Sequence, residues 1–223
     1  MEVWTLCVDR GGTRLNWRGE TVFIVGGGPS LKGMDLSALR DRRTIALNNA
    51  YLITPDPDIL FFADARWWTW HAAQVPANFA GRILTPSDTV DPRVERLWRD
   101  MRFETGGPAL SPLPDHVAGH DSGYMSMNLA VNLGVARIVL LGFDMGFLGS
   151  GATHWHSGHP IPTKETNYTV AFGPTYPALV EAIRARGVAI ERATPSNLGY
   201  IPERPLADIL ADVSSDGSDR QYA

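Results

Sequence analysis

The stretch Thr21–Leu31, TVFIVGGGPSL, decides the fold. Val22, Phe23, Ile24 and Val25 form an unbroken apolar run, the pattern of a strand buried on both faces of a parallel sheet. Gly26, Gly27 and Gly28 follow at once, allow positive φ, and leave no side chain between the backbone and whatever lies beyond the strand. Pro29 stiffens the turn, and Ser30 either caps a short helix or donates its hydroxyl to a ligand. Backbone N–H groups gathered in such a turn suit an anion such as phosphate. A strand-to-helix turn without a ligand is the other reading of the same residues. The loop is not G-x-G-x-x-G, because Pro29 follows the glycines, and not a P-loop, because no G-x-x-x-x-G precedes Lys32.

Outward from this strand, apolar runs alternate with helical patterns. Strands are expected at Val3–Val8 (turning at Gly11-Gly12), Thr44–Leu47, Asp58–Ala63, Arg82–Thr85, Arg137–Leu141 and Ala189–Arg192. Helices are expected at Leu36–Arg40 behind Asp35, at Ala65–Gln74, and, as a charged amphipathic segment, at Pro92–Met101. Ser122–Leu133 closed by Gly134, Thr175–Arg186 closed by Gly187, and a last turn at Leu206–Leu210 complete the set. Residues 104–121 read as a Gly/Pro loop with one short strand, and 145–172 as a long functional loop. The expected fold class is α/β: a single Rossmann-like domain over residues 1–212, with a mainly parallel sheet flanked by helices and a disordered tail at 213–223.

Composition narrows the function. A net charge of −4 argues against nucleic acid as a partner, since sequence-independent binding needs a basic surface. The single Cys7 excludes an intrachain disulfide and fits a reducing compartment. No apolar stretch approaches the ~20 residues of a membrane span. The N-terminus has no basic lead, so the expected location is cytoplasmic. Any of the seven tryptophans left exposed would mark a contact surface, and with it a homo-oligomer.

In open parallel sheets ligands collect at the carboxyl ends of the strands, here Gly26–Ser30, Asn48-Asn49, Asp64 and Gly142–Asp144. Asn48 and Asn49 suit hydrogen bonds to a base, ribose or sugar, or serve as turn residues. Asp64 and Asp144 suit Mg²⁺ or a ribose hydroxyl, or cap the following segment. Ser122 opens the clearest helix, where a phosphate or carboxylate can sit unless Asp121 or Ser122 simply caps it. In THWHSGH, His154, His156 and His159 suit acid–base chemistry or phosphate contact, with a metal cluster or a plain surface loop as the alternatives. There is no H-E-x-x-H for zinc and no G-x-S-x-G for a hydrolase triad.

In order, VFIVGGGPSL, NNAY, PDILFFAD, SGYMSMNLAVNLGVARIVLLGFDM and THWHSGH resemble a sialyltransferase-like superfamily over about residues 20–195. It includes bacterial lipooligosaccharide sialyltransferases, flagellin-modifying motility-accessory-factor proteins and archaeal 6-hydroxymethylpterin diphosphokinases. The resemblance implies that Gly26–Leu31 and Asn48 hold the CMP part of a donor. It further implies that Ser122-Gly123 contacts that donor and that His154 is the closest match to a general base. Family tyrosines that hold the donor phosphate would fall just after the Gly-x-Asp turn, where this chain has Met145, Gly146 and Phe147, leaving Tyr168 or Tyr176 as substitutes. His120-Asp121 stands where those enzymes carry an arginine. The implied activity is a nucleotide-dependent transferase, foremost a glycosyltransferase with a CMP-activated, sialic-acid-like or similar sugar, using His154 or His156 as base and needing no cofactor. The alternatives are a pyrophosphokinase with Mg²⁺ on Asp64 and Asp144, and a non-catalytic nucleotide- or glycan-binding module.

Overall fold

A computed structural model describes residues 6–8, 14–89, 91–146, 152, 154–157 and 164–215. Its strands are β1 (Leu6–Val8), β2 (Arg14–Leu15), β3 (Thr21–Val25), β4 (Arg43–Leu47), β5 (Ile59–Phe61) and β6 (Arg82–Thr85). They continue as β7 (Val94–Arg96), β8 (Trp98–Arg99), β9 (His116–Val117), β10 (Arg137–Leu141) and β11 (Ala189–Arg192). The α-helices are α1 (Ala65–His71), α2 (Ser122–Asn132), α3 (Tyr176–Ala185) and α4 (Leu206–Ser215).

Seven strands form one parallel sheet in the order β11-β10-β3-β4-β5-β6-β7. The chain enters at β3, builds outward to β7, then returns to lay β10 on the free side of β3. The strand order therefore reverses between β3 and β10, and crevices that bind ligands in such sheets open at that place. Ile24 stands opposite Ile45 on one side and Leu140 on the other, so the apolar run is paired along both edges.

Alternation along β3 feeds two cores. Val22 and Ile24, with Ile45, Ile138 and Leu140, pack beneath α2 and α3 through Met125, Leu129, Leu179 and Ile183. Phe23 and Val25, with Ala46, Leu60, Val139 and Leu141, pack beneath α1 and α4 through Trp67, Trp68, Ile209 and Val213. Each such side chain contributes roughly 1.5–3 kcal/mol on burial. The architecture is the expected α/β one, a parallel sheet with helices on both faces. Among the described residues, no helix is long and apolar enough to cross a membrane.

Several local expectations are corrected. Pro92–Met101 is not a helix: Val94–Arg96 is the edge strand β7, Trp98–Arg99 pairs with His116–Val117, and a 3₁₀ turn begins at Met101. The charges that suggest a solvated helix face are each held by a fixed partner, Arg93 by Asp91, Glu95 by Arg82, and Arg96 by Asp88. A helix here would leave the edge of β6 unpaired, so sheet extension overrides the local pattern. The segment from 165 to 172 is helical, ending in a π-turn over Asn167–Phe172, and α4 runs on to Ser215. Val3, the Gly11-Gly12 turn, and 216–223 of the expected tail lie outside the described residues.

The polar side of α2 secures the Pro-rich segment before it. Asn128 Oδ1 accepts the amides of Ser111 (2.8 Å) and Ala118 (2.9 Å), Asn132 Nδ2 donates to Leu113 and His116 carbonyls, and Tyr124 O–H donates to Ala109 O at 2.7 Å. Replacing Asn128 with Ala leaves two buried amides unmet. Urea unfolding is expected to show a loss of about 2–3 kcal/mol, within the range for orphaned buried polar groups.

Candidate functional site

The loop after β3 is zipped onto the end of β10. Gly26 N–H donates to Leu141 O at 2.7 Å, and Gly28 N–H donates to Gly142 O at 2.8 Å. A Cβ on Gly26 would lie 2.6 Å from Gly142 O, and one on Gly28 would overlap the Asp144 carboxyl. Close approach of two backbones therefore explains these two glycines. Ser30 donates its amide to Asp144 Oδ2 at 2.8 Å and its hydroxyl to Oδ1. The Asp144 carboxyl thus takes the amide expected to hold a phosphate. Gly27 is different: nothing lies within 4 Å of its missing Cβ, and its N–H has no partner among the described residues. Its carbonyl accepts Trp155 N–H at 3.2 Å, which ties the histidine segment to the glycine loop.

A cavity of about 450 Å³ opens over this crossing. Gly26, Gly27, Gly28, Asn48, Asp64 and Asp144 line it from four strand ends, joined by Ser122 and Gly123 of α2 and by His154. Pro29, Ser30, Asn49 and His156 lie off its wall. Asn49 is buried and accepts the Trp67 indole N–H at 2.6 Å, so it anchors α1. His156 packs edge-on against His154, ring centroids 5.4 Å apart, and His159 lies outside the described residues. Asn48 holds a left-handed backbone, φ 51°, as does Met145 beside Asp144, φ 51°. Strained backbone at two strand ends of one cavity is typical of functional sites.

Asp64 caps α1 through Arg66 N–H (2.9 Å) and pairs with the Arg66 guanidinium (2.6 Å), which stacks over Trp70 at 6.0 Å. Both carboxylates proposed for Mg²⁺ are already engaged, Asp64 with Arg66 and Asp144 with Ser30. Among the described residues no three His, Cys, Asp or Glu side chains form a metal-binding group. Ser122 Oγ accepts Ala63 N–H at 3.1 Å, which joins α2 to the end of β5. A Cβ on Gly123 would lie 2.6 Å from the Tyr176 hydroxyl and 2.7 Å from the Phe143 ring, so only glycine lets those rings pack on the helix start.

Sequence reasoning treated Asp121 as a cap alone and passed over the 194–198 turn. Asp121 does cap α2, accepting Tyr124 N–H at 3.0 Å, but it also accepts the Tyr176 O–H at 2.8 Å and lines the cavity. Burial pushes its carboxyl above the ordinary range, against the opposing pull of these bonds. Burial likewise raises Asp144, although its Ser30 bonds pull the other way. Tyr168, also on the cavity, is pushed up to about 12 by burial and then by the charges of Asp144 and Asp121. Ser196 Oγ donates to Phe143 O, and Asn197 donates to the carbonyls of Asp144 (2.9 Å) and Met145 (3.0 Å), which clamps the β10 turn. The signal for Asp121 was its place directly before Ser-Gly. The Ser196–Asn197 clamp carries no local signal.

Gly28→Ala drives a methyl into Asp144 and breaks its bonds to Ser30, so denaturant titration should show a loss of roughly 1–3 kcal/mol. Asp121 titrates with a clear sign. A carboxyl raised in the folded state costs no stability below its ordinary value of 3.8; the cost develops as pH rises from there through the raised value. Asp121→Asn keeps the cap and should be more stable than the parent at pH 7. Unfolding curves across pH should show that gain closing as pH falls toward 3.8.

No protein-family model matches the chain, and no curated protein matches it. Solved structures do. The sialyltransferase CstII from Campylobacter jejuni, in complex with the substrate analogue cytidine-5'-monophosphate, aligns with a TM-score of 0.52 at 16% identity, over 92% of this chain and 89% of that one. The MAf glycosyltransferase from Magnetospirillum magneticum AMB-1 aligns with a TM-score of 0.56 at 18% identity, over 97% of this chain, which spans 39% of that one. Identities this low speak to architecture alone: this chain shares the fold of these two structures.

Proposed function

We propose that the protein is a glycosyltransferase that draws a nucleotide-activated sugar, with a CMP-linked donor as the first candidate, into the cavity between β3 and β10. The observation that carries this reading is the convergence of Gly27, Asn48, Ser122-Gly123 and His154 on one cavity at the point where the strand order reverses. Its volume of about 450 Å³ suits a cofactor-sized ligand. The same fold occurs in the sialyltransferase solved with cytidine-5'-monophosphate and in the MAf glycosyltransferase.

In this reading Gly27 N–H meets the donor phosphate and Asn48 the ribose or base. Tyr168 lines the cavity and, protonated at neutral pH as tyrosines ordinarily are, can donate to the leaving phosphate. An acceptor hydroxyl attacks the anomeric carbon as the bond from that carbon to the phosphate oxygen breaks. The electron pair leaves with the nucleotide, and the hydroxyl proton passes to His154. No metal is required.

Thermal shifts with CMP, UMP, GDP, ATP and CMP-sialic acid, with and without Mg²⁺, test the reading. A ligand at 100 times its dissociation constant adds about 2.7 kcal/mol, which corresponds to about 5–10 °C for a chain of this size. CMP or its sugar is expected to give the shift without Mg²⁺. His154→Ala should keep that shift and lose about 100-fold or more in donor turnover. Unchanged turnover in His154→Ala removes the base. A response to ATP alone, dependent on Mg²⁺, replaces the reading with a pyrophosphokinase, and binding with no turnover of any donor replaces it with a binding module.

A further inference from the structure

The described residues that line the cavity include three carboxylates, Asp64, Asp121 and Asp144, but a single lysine or arginine, Arg66. Asp121 and Asp144 accept their bonds from uncharged donors, the Tyr124 amide and Tyr176 hydroxyl for one and Ser30 for the other. An anionic ligand entering here therefore meets one permanent positive charge on the wall, the Arg66 guanidinium.

The way that guanidinium is held decides what it can bind. Asp64 takes one edge of it: Nε donates to Oδ1 at 3.1 Å and to Oδ2 at 3.0 Å, and Nη2 donates to Oδ2 at 2.6 Å. Nη1 donates to nothing among the described residues, so the Nη1–Nη2 edge stays open. The guanidinium carbon stands 6.0 Å from the centre of the Trp70 ring, which places the group between two side chains that both line the cavity. The Arg66 side chain is 67% exposed, so a ligand can reach it. The same Asp-x-Arg clasp recurs at Asp91–Arg93 and Asp100–Arg102, where it borders no part of the cavity. At Arg93 the outer nitrogens are spent on the Val75 and Ala72 carbonyls. A guanidinium clasped along one edge presents the other in a fixed plane, the geometry in which arginine takes a carboxylate or phosphate through two parallel bonds.

We infer that Arg66 is the anion contact of this cavity, binding a phosphate or carboxylate of the ligand through its Nη1–Nη2 edge while Asp64 keeps the opposite edge. The inference rests on the nucleotide-sugar reading above. Such a ligand carries the required group in two places: its phosphate and, on a sialic-acid-like sugar, a carboxylate.

Titration calorimetry on the full chain separates these sources, using the parent, Arg66→Gln and Arg66→Lys. Arg40→Gln, which removes an exposed ion pair with Asp56 off the cavity, is the control for net charge. One arm compares CMP with cytidine. The other compares CMP-sialic acid with its carboxylate methyl ester. Each ratio is taken within one protein, so a general loss of affinity cancels. The parent should prefer the charged ligand, and Arg66→Gln should cut that preference by about tenfold or more in the arm that holds the contact. Arg66→Lys, a point charge without the fork, should keep part of the preference, and Arg40→Gln should keep all of it. A preference that moves by less than about threefold in both arms of Arg66→Gln, or equally in Arg40→Gln, overturns the inference and leaves the function reading standing. No binding by any nucleotide overturns both together.

Discussion

Two backbone hydrogen bonds, from Gly26 to Leu141 and from Gly28 to Gly142, bring the loop after β3 against the turn after β10, and the rest of the site is arranged around that approach. Any side chain at either glycine would force the two segments apart. Once they meet, the Asp144 carboxyl closes over Ser30 and finishes the turn from within. The crossing coincides with the reversal of strand order, so a structural necessity of the fold and the opening of the cavity are one event. Of the three glycine amides in the loop, only that of Gly27 has no partner among the described residues.

The opposite wall comes from α2, which is a polar scaffold as much as a packing helix. Its apolar side lies on the sheet through Met125 and Leu129. Its Asn128, Asn132 and Tyr124 hold the preceding loop, and its first turn presents Asp121, Ser122 and Gly123 to the cavity. These roles share three turns of one helix, so the cavity wall and the core beneath it are built on the same element. The histidine segment reaches the same space through the Trp155 amide on Gly27 O, bringing His154 in while His156 remains behind it.

Much of this was legible in the residues. Apolar runs at Val22–Val25 and Arg137–Leu141 place two buried strands without ambiguity, because a run of that length can be satisfied only between two covered faces. Glycine, asparagine and aspartate at the ends of such runs mark where a cavity opens, and Gly27, Asn48, Asp64 and Asp144 do line it. Pro92–Met101 was illegible for a definite reason: its charges repeat like a helix face, but Arg93, Glu95 and Arg96 answer to ion partners that precede the segment, Asp91, Arg82 and Asp88. Asn49 looked equivalent to Asn48 until Trp67 claimed it.

By itself the sequence determined the α/β class, the central strand and the ends from which a site is built, since hydrophobic periodicity and glycine chemistry are local properties of a chain. Only the tertiary structure decided which polar groups are already spent. Ser30, Asn49 and Asp64 are engaged by Asp144, Trp67 and Arg66, while Asp121, which reads as a cap, also holds the Tyr176 hydroxyl. A hydrogen bond between residues far apart in sequence leaves no trace in the residues around either partner, so the difference between a spent group and an available one exists only once the chain has folded.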